Sequence, residues 1–143
     1  MKGASGLHKL TKENDSKMVF FNTWGYLNGD KRNFADDTYW QMQKRLNEGY
    51  NAAANKFDAQ LAPVGNAYNE LKKTNPRLWT QLYQADGSHP SRTGAYLAAI
   101  VIYSGLYGVD PQKIHFNGGL NGSAATQLKS SAARTLKETK PAL

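Results

Sequence analysis

Cysteine is absent from the 143-residue chain, so neither a disulfide scaffold nor a thiolate-ligated zinc site is available. No run of ~18 apolar residues occurs, and no segment reads as a membrane-spanning helix. Collagen-like and low-complexity repeats are missing. The polar stretch Met1 to Lys17 has no apolar core and does not read as a signal peptide. Long aliphatic side chains are scarce. Leu, Ile, Val and Phe make up 26 of the 143 residues, a level that alone points towards disorder. Sixteen aromatic residues and seventeen alanines argue the other way, because aromatics bury large areas and disordered chains lack them. The composition describes one folded, lightly cored domain.

Eighteen Lys and Arg against eleven Asp and Glu leave a net charge of +7. Such an excess permits contact with nucleic acid, anionic membranes or acidic glycans. The cations are scattered, however. Only Lys31-Arg32, Lys44-Arg45 and Lys72-Lys73 sit side by side, and none is interleaved with aromatics as a single-strand platform requires. They read as solvated faces, and nucleic acid is not the expected partner.

Met1 to Lys17, rich in Lys, Gly, Ser and Asn, reads as an irregular, flexible segment ahead of a domain over residues 18–140. Met18-Val19-Phe20-Phe21 is a short apolar run without alternation, which suits a strand buried on both faces in a parallel sheet. Asp36 or Asp37 is placed to cap a helix of about 20 residues, with Tyr39, Met42, Leu46, Tyr50, Ala53 and Phe57 as its apolar stripe. Gln60 to Val64 reads as a strand, at an edge or ending, because Pro63 cannot donate to a ladder. A modest helix, Ala67 to Lys73, stops at Asn75-Pro76. Pro90 is suited to open the next helix. Its stretch Tyr96 to Tyr103 is apolar on every side, and Gly108 stops it. Ser123 is placed to cap a last helix with Ala125, Leu128, Ala132 and Leu136 on one face.

Strands alternating with helices predict a parallel α/β fold. Only two strands stand out, and two parallel strands do not make a stable sheet alone. The Met18–Phe21 strand should therefore have a further neighbour, from a protein partner or a second copy of the chain.

Asp86 and His89 form an Asp-x-x-His loop. A tight turn brings the carboxylate back to one imidazole nitrogen, fixing the tautomer, while the other nitrogen faces outward to take a proton. The same residues also suit a surface histidine with Asp86 as a helix cap. A nucleophile is harder to find. There is no Gly-x-Ser-x-Gly or Gly-Asp-Ser, Ser5 has no strand before it, and Ser88 reads as a turn residue. His8, His89 and His115 lie far apart, and Gly118-Gly119-Leu120-Asn121-Gly122 lacks the strand and lysine of a phosphate loop, so no metal or other cofactor is expected. Trp24, just after a strand, either packs structurally or walls a pocket.

Several blocks together resemble the C-terminal half of an SGNH (GDSL-type) hydrolase. They are Phe20-Phe21-Asn22-Thr23-Trp24-Gly25-Tyr26, the helix beginning Tyr39-Trp40-Gln41-Met42, Leu61-Ala62-Pro63-Val64-Gly65, and Leu82 to Ser91 with Gly94 to Ala99. The resemblance spans roughly residues 18–137. Its most specific piece is Asp86-Gly87-Ser88-His89-Pro90-Ser91 followed by Gly94, Tyr96 and Leu97. It implies a flavodoxin-like three-layer α/β/α fold, of which this chain holds about two parallel strands and four helices. It implies cleavage of acyl or acetyl esters, on carbohydrate or lipid, with His89 as general base, Asp86 as its orienting acid and Trp24 near the substrate pocket. The family's serine, glycine and asparagine blocks have no counterpart in these residues. The resemblance thus implies a serine supplied by a partner chain, or a non-catalytic structural or binding subunit of a larger assembly, such as a virion or surface complex, derived from that fold.

Overall fold

The computed structural model describes residues 2–139. In chain order these form α1 (Lys2–Glu13), β1 (Val19–Phe21), α2 (Tyr39–Phe57), β2 (Gln60–Ala62), α3 (Val64–Thr74), α4 (Pro76–Thr80), α5 (Arg92–Tyr107), a 3-10 turn (Pro111–Lys113) and α6 (Gly122–Glu138). The architecture is α/β. The two strands pair in parallel with Val19 opposite Gln60, Phe20 opposite Leu61 and Phe21 opposite Ala62. Their connection runs through α2, since parallel strands need a long crossover.

The stretch before β1 is not irregular. Lys, Leu and Ala favour helix over Lys2–Glu13, supported by an ion pair from Lys9 to Glu13 at 3.7 Å. This helix buries no residue. It meets the rest of the chain at His8, whose ring lies 5.2 Å from that of Phe57.

Helix α2 is capped by neither Asp36 nor Asp37. Thr38 is the N-cap and forms a reciprocal capping box with Gln41. Asp37 instead turns inward. Its buried carboxylate takes two hydrogen bonds from Arg45, at 2.9 and 2.6 Å, and one from the Asp30 backbone N–H at 2.7 Å. The buried face of α2 runs through Tyr39, Gln43, Ala53, Ala54 and Phe57, while Met42, Leu46 and Tyr50 remain half-buried.

The core lies among α3, α4, α5 and α6, where Tyr68, Leu71, Leu82, Leu97, Val101 and Leu128 lose essentially all exposure. Ser131 Oγ donates to the Ala67 carbonyl at 2.9 Å and Arg134 pairs with Glu70 at 2.6 Å, tying α6 to α3. Asn75 caps the end of α3 and the start of α4, a short helix opened by Pro76. Lys72 Nζ stands 3.3 Å from the centre of the Trp79 ring and clamps α4 in place. Helix α5 begins at Ser91, not Pro90: the Ser91 hydroxyl accepts from the N–H groups of Thr93 and Gly94. It ends at Gly108, whose φ of +66° is left-handed. Asn121, rather than Ser123, caps α6.

β1 is less covered than its composition predicts. Val19 and Phe21 are exposed and Phe20 is half-buried. Among the described residues β2 is the one strand beside it, so the side chains of an interior strand stand at an edge.

Candidate active site

The loop between α4 and α5 is built as a closed turn. Tyr83 and Pro90 form an antiparallel bridge, and the Gln84 N–H donates to the His89 carbonyl at 2.9 Å. The Gly87 N–H returns to the Gln84 carbonyl at 3.0 Å. Gly87 has a φ of +67°, and a Cβ there would also meet Leu27 Cβ at 3.2 Å, so glycine suits the position twice over. The turn brings Asp86 back onto its own backbone. Asp86 Oδ1 accepts from the N–H groups of Ser88 and His89 at 2.9 and 3.0 Å. Asp86 Oδ2 lies 2.5 Å from His89 Nδ1.

These bonds set the protonation states. The His89 ring beside it, then the Ser88 and His89 backbone N–H groups, hold the Asp86 carboxyl well below the usual carboxylate range. An ionised carboxylate only accepts, so Nδ1 carries a proton, and in the neutral tautomer Nε2 is the nitrogen that accepts one. The ring is open to solvent, with 73% of its side-chain area exposed. The Asp-x-x-His geometry read from the sequence is therefore formed.

The candidate hydroxyls fall elsewhere. Ser88 Oγ approaches Nδ1 at 3.4 Å, the nitrogen already bonded to Asp86, and so stands at the wrong side of the ring to be deprotonated by Nε2. Ser5 is on α1. Ser91 Oγ donates to the Gln81 carbonyl at 2.6 Å while capping α5. Among the described residues no three His, Asp or Glu side chains converge as a metal set. A groove of about 570 Å³ lies between α1, the end of α2 and the start of β2, and its walls include neither Asp86 nor His89.

The loop is held against the segment that follows β1. Trp24 Nε1 donates to the Ser88 carbonyl at 3.0 Å, and its ring stacks on Tyr68 at 4.8 Å with 8° between the planes. The Leu27 N–H donates to the Gly87 carbonyl at 2.8 Å, and the Tyr83 hydroxyl to the Gly25 carbonyl at 2.8 Å. Trp24 thus spends its polar group on positioning the His89 loop. Gln43 and Asn47 of α2 brace the same segment. The Gly25 N–H donates to Gln43 Oε1 at 2.7 Å, and Asn47 Oδ1 accepts from Asn22 Nδ2 at 3.0 Å and from Gln43 Nε2 at 2.8 Å. This buried amide network was not foreseen from the sequence. Polar residues on a helix read as solvent-facing, and periodicity carries no signal that distinguishes these two.

No protein-family profile matches the chain, and no curated protein matches it in sequence. Among solved structures it is similar to the crystal structure of a DUF4886 family protein from Bacteroides uniformis, with a TM-score of 0.78 at 17% identity. The similarity covers 92% of this chain and 53% of that one. This chain therefore spans about half the length of that protein, and at this identity the likeness is one of fold.

Proposed function

We propose that this chain is the Asp-His-bearing portion of an SGNH-type serine ester hydrolase, with the serine contributed by a partner polypeptide. The observation that carries the reading is the 2.5 Å contact between Asp86 and His89 Nδ1, on a loop tied by three hydrogen bonds to the segment after β1, with the imidazole open to solvent. A hydroxyl brought to Nε2 loses its proton to His89 as it attacks an ester carbonyl. The imidazolium that forms is stabilised by Asp86 and then protonates the leaving alcohol. Water enters by the same base, releases the acyl group and restores the hydroxyl. The donors that hold the oxyanion would come with the serine. The resemblance of Asp86 to Leu97 to the last block of that family supports the same roles, and acyl or acetyl esters on carbohydrate or lipid as the substrate class.

The test is turnover of p-nitrophenyl acetate by the chain together with its serine-bearing partner. Loss of turnover in the His89→Ala variant is expected. Turnover that survives His89→Ala overturns the proposal. Absence of hydrolysis in any assembly leaves the non-catalytic structural or binding subunit as the reading.

A further inference from the structure

The least explained part of the molecule is an apolar surface that none of the described residues covers. It has two components. The first is the outer edge of β1. Asn22 N–H donates to the Ala62 carbonyl and the Met18 carbonyl accepts from the Gln60 N–H, both at 3.0 Å. Backbone groups alternate along a strand, so those of Val19 and Phe21 face away from β2. Their side chains, alternating with Phe20, point to the sheet face opposite the one where Phe20 meets Phe57 of α2. Phe21 lies there beside Trp24, at 6.2 Å, whose ring stacks on Tyr68 of α3. The second component is the outward stripe of α5, where Tyr103, Leu106 and Tyr107 are 48, 43 and 71% exposed. Tyr103 and Tyr107 rings are 5.1 Å apart and form a continuous aromatic ledge.

We infer that this surface binds an α/β half-domain, which adds a strand parallel to β1 and lays a helix over Tyr103, Leu106 and Tyr107. The inference rests on the hydrolase reading above and names the place where its partner docks. Three observations select this occupant. Parallel strands are stable when both faces are covered and the sheet is wider than two strands. The Bacteroides protein of the same fold carries about as much chain again beyond the shared region. A second copy suits the surface poorly. It also carries +7. It would pair β1 with β1 only in antiparallel fashion, or β1 with β2 in a head-to-tail array that does not close.

The experiment places p-benzoylphenylalanine at position 21 or 107 in the cell that makes the protein, irradiates, and maps the cross-linked peptides. Both positions should link to one and the same polypeptide, position 21 to a strand segment and position 107 to a helical one. Phe21→Pro removes an N–H from the outer edge without touching the β2 ladder, and Leu106→Glu charges the ledge at an exposed site. Each should cut the cross-link made at position 107 at least tenfold while leaving the far-ultraviolet circular dichroism unchanged. If Phe21→Pro unfolds the chain, Leu106→Glu decides alone. Cross-links between two copies of this chain, links scattered over unrelated polypeptides, or a chain that sediments as a monomer without links would each overturn the inference. A cross-linked assembly that does not hydrolyse p-nitrophenyl acetate keeps the docking surface and removes the hydrolase reading. An assembly that hydrolyses it through His89 but cross-links at neither position does the reverse.

Discussion

At the scale of the residue, the site depends on one hydrogen bond having the right direction. Asp86 accepts from His89 Nδ1, which leaves Nε2 as the base. In Asp86→Asn, the amide keeps an oxygen for the Ser88 and His89 N–H groups and presents an NH₂ to Nδ1. Nδ1 must then accept, the proton moves to Nε2, and the base is lost. Under the proposed ester-hydrolase reading, the assembly with the serine-bearing partner should lose roughly 10⁴-fold in kcat, with KM little changed, measured on p-nitrophenyl acetate. Trp24 is a positioning residue in the same account. Trp24→Phe keeps the stack on Tyr68 and deletes the bond to the Ser88 carbonyl. It should cost about 1 kcal/mol, read as a fall in Tm of about 3 °C. Asp86 and His89 were legible in the sequence because their interaction is local. Four residues with a glycine inside and a proline after them confine the chain enough to bring the two side chains together. Gln43, Asn47 and Tyr83 were not legible. Their bonds cross 18 to 58 residues of sequence, and only the packing of α2 and of the α4–α5 loop against the segment after β1 gives them their roles.

At the scale of the element, α5 reads as one uniformly apolar helix and is in fact two-faced. Leu97 and Val101 lie in the core, while Tyr103, Leu106 and Tyr107 face out. Hydropathy cannot separate a face that meets this chain from one that does not, so the all-apolar stretch Tyr96 to Tyr103 points to burial throughout, and the exposure of Tyr103 corrects it. The start of α5 is fixed by close approach. A Cβ on Gly94 would stand 2.2 Å from the Leu82 carbonyl oxygen and 2.4 Å from the Tyr68 hydroxyl. The carbonyl belongs to the strand-like pairing that positions His89, since it accepts from the Ser91 N–H at 2.8 Å. Gly94→Ala should therefore cost about 3 kcal/mol, or a Tm drop of roughly 10 °C, and should broaden the His89 ring resonances because the loop is pushed off its braces. The caps follow the same lesson. Thr38, Ser91 and Asn121 were each one or two positions from the residue the pattern favoured. Neighbouring Asp, Ser, Thr and Asn are chemically equivalent caps, and tertiary contacts such as the Asp37–Arg45 pair decide among them.

At the scale of the whole molecule, the two strands and their parallel order followed from the alternation of apolar run, helix, apolar run. What covers β1 did not, because covering is a property of surfaces and not of local pattern. The same global view sets the pH range of stability. Asp37 is drawn below the ordinary carboxylate value of 3.8 by Arg45, and Asp86 by His89. A carboxyl with a depressed folded-state value stabilises fully above its unfolded value and ceases to do so as the pH falls towards the folded one. The acid limit of stability thus opens below about 3.8, where the chain's net charge of +7 also rises further. Burial pushes the phenols of Tyr39, Tyr68 and Tyr83 well above 10. A phenol held neutral in the folded state opposes unfolding least when the unfolded phenol ionises, so their contribution is intact below pH 10 and is lost as the pH rises beyond it. Urea midpoints should form a plateau between roughly pH 5 and pH 9 and fall on both sides. Asp37→Asn should lower the plateau, because Arg45 loses its ionic partner, and flatten the acid limb. Tyr83→Phe should lower it through the lost bond to the Gly25 carbonyl and flatten the alkaline limb. An acid limb unchanged in Asp37→Asn would show that the buried pair with Arg45 does not set it.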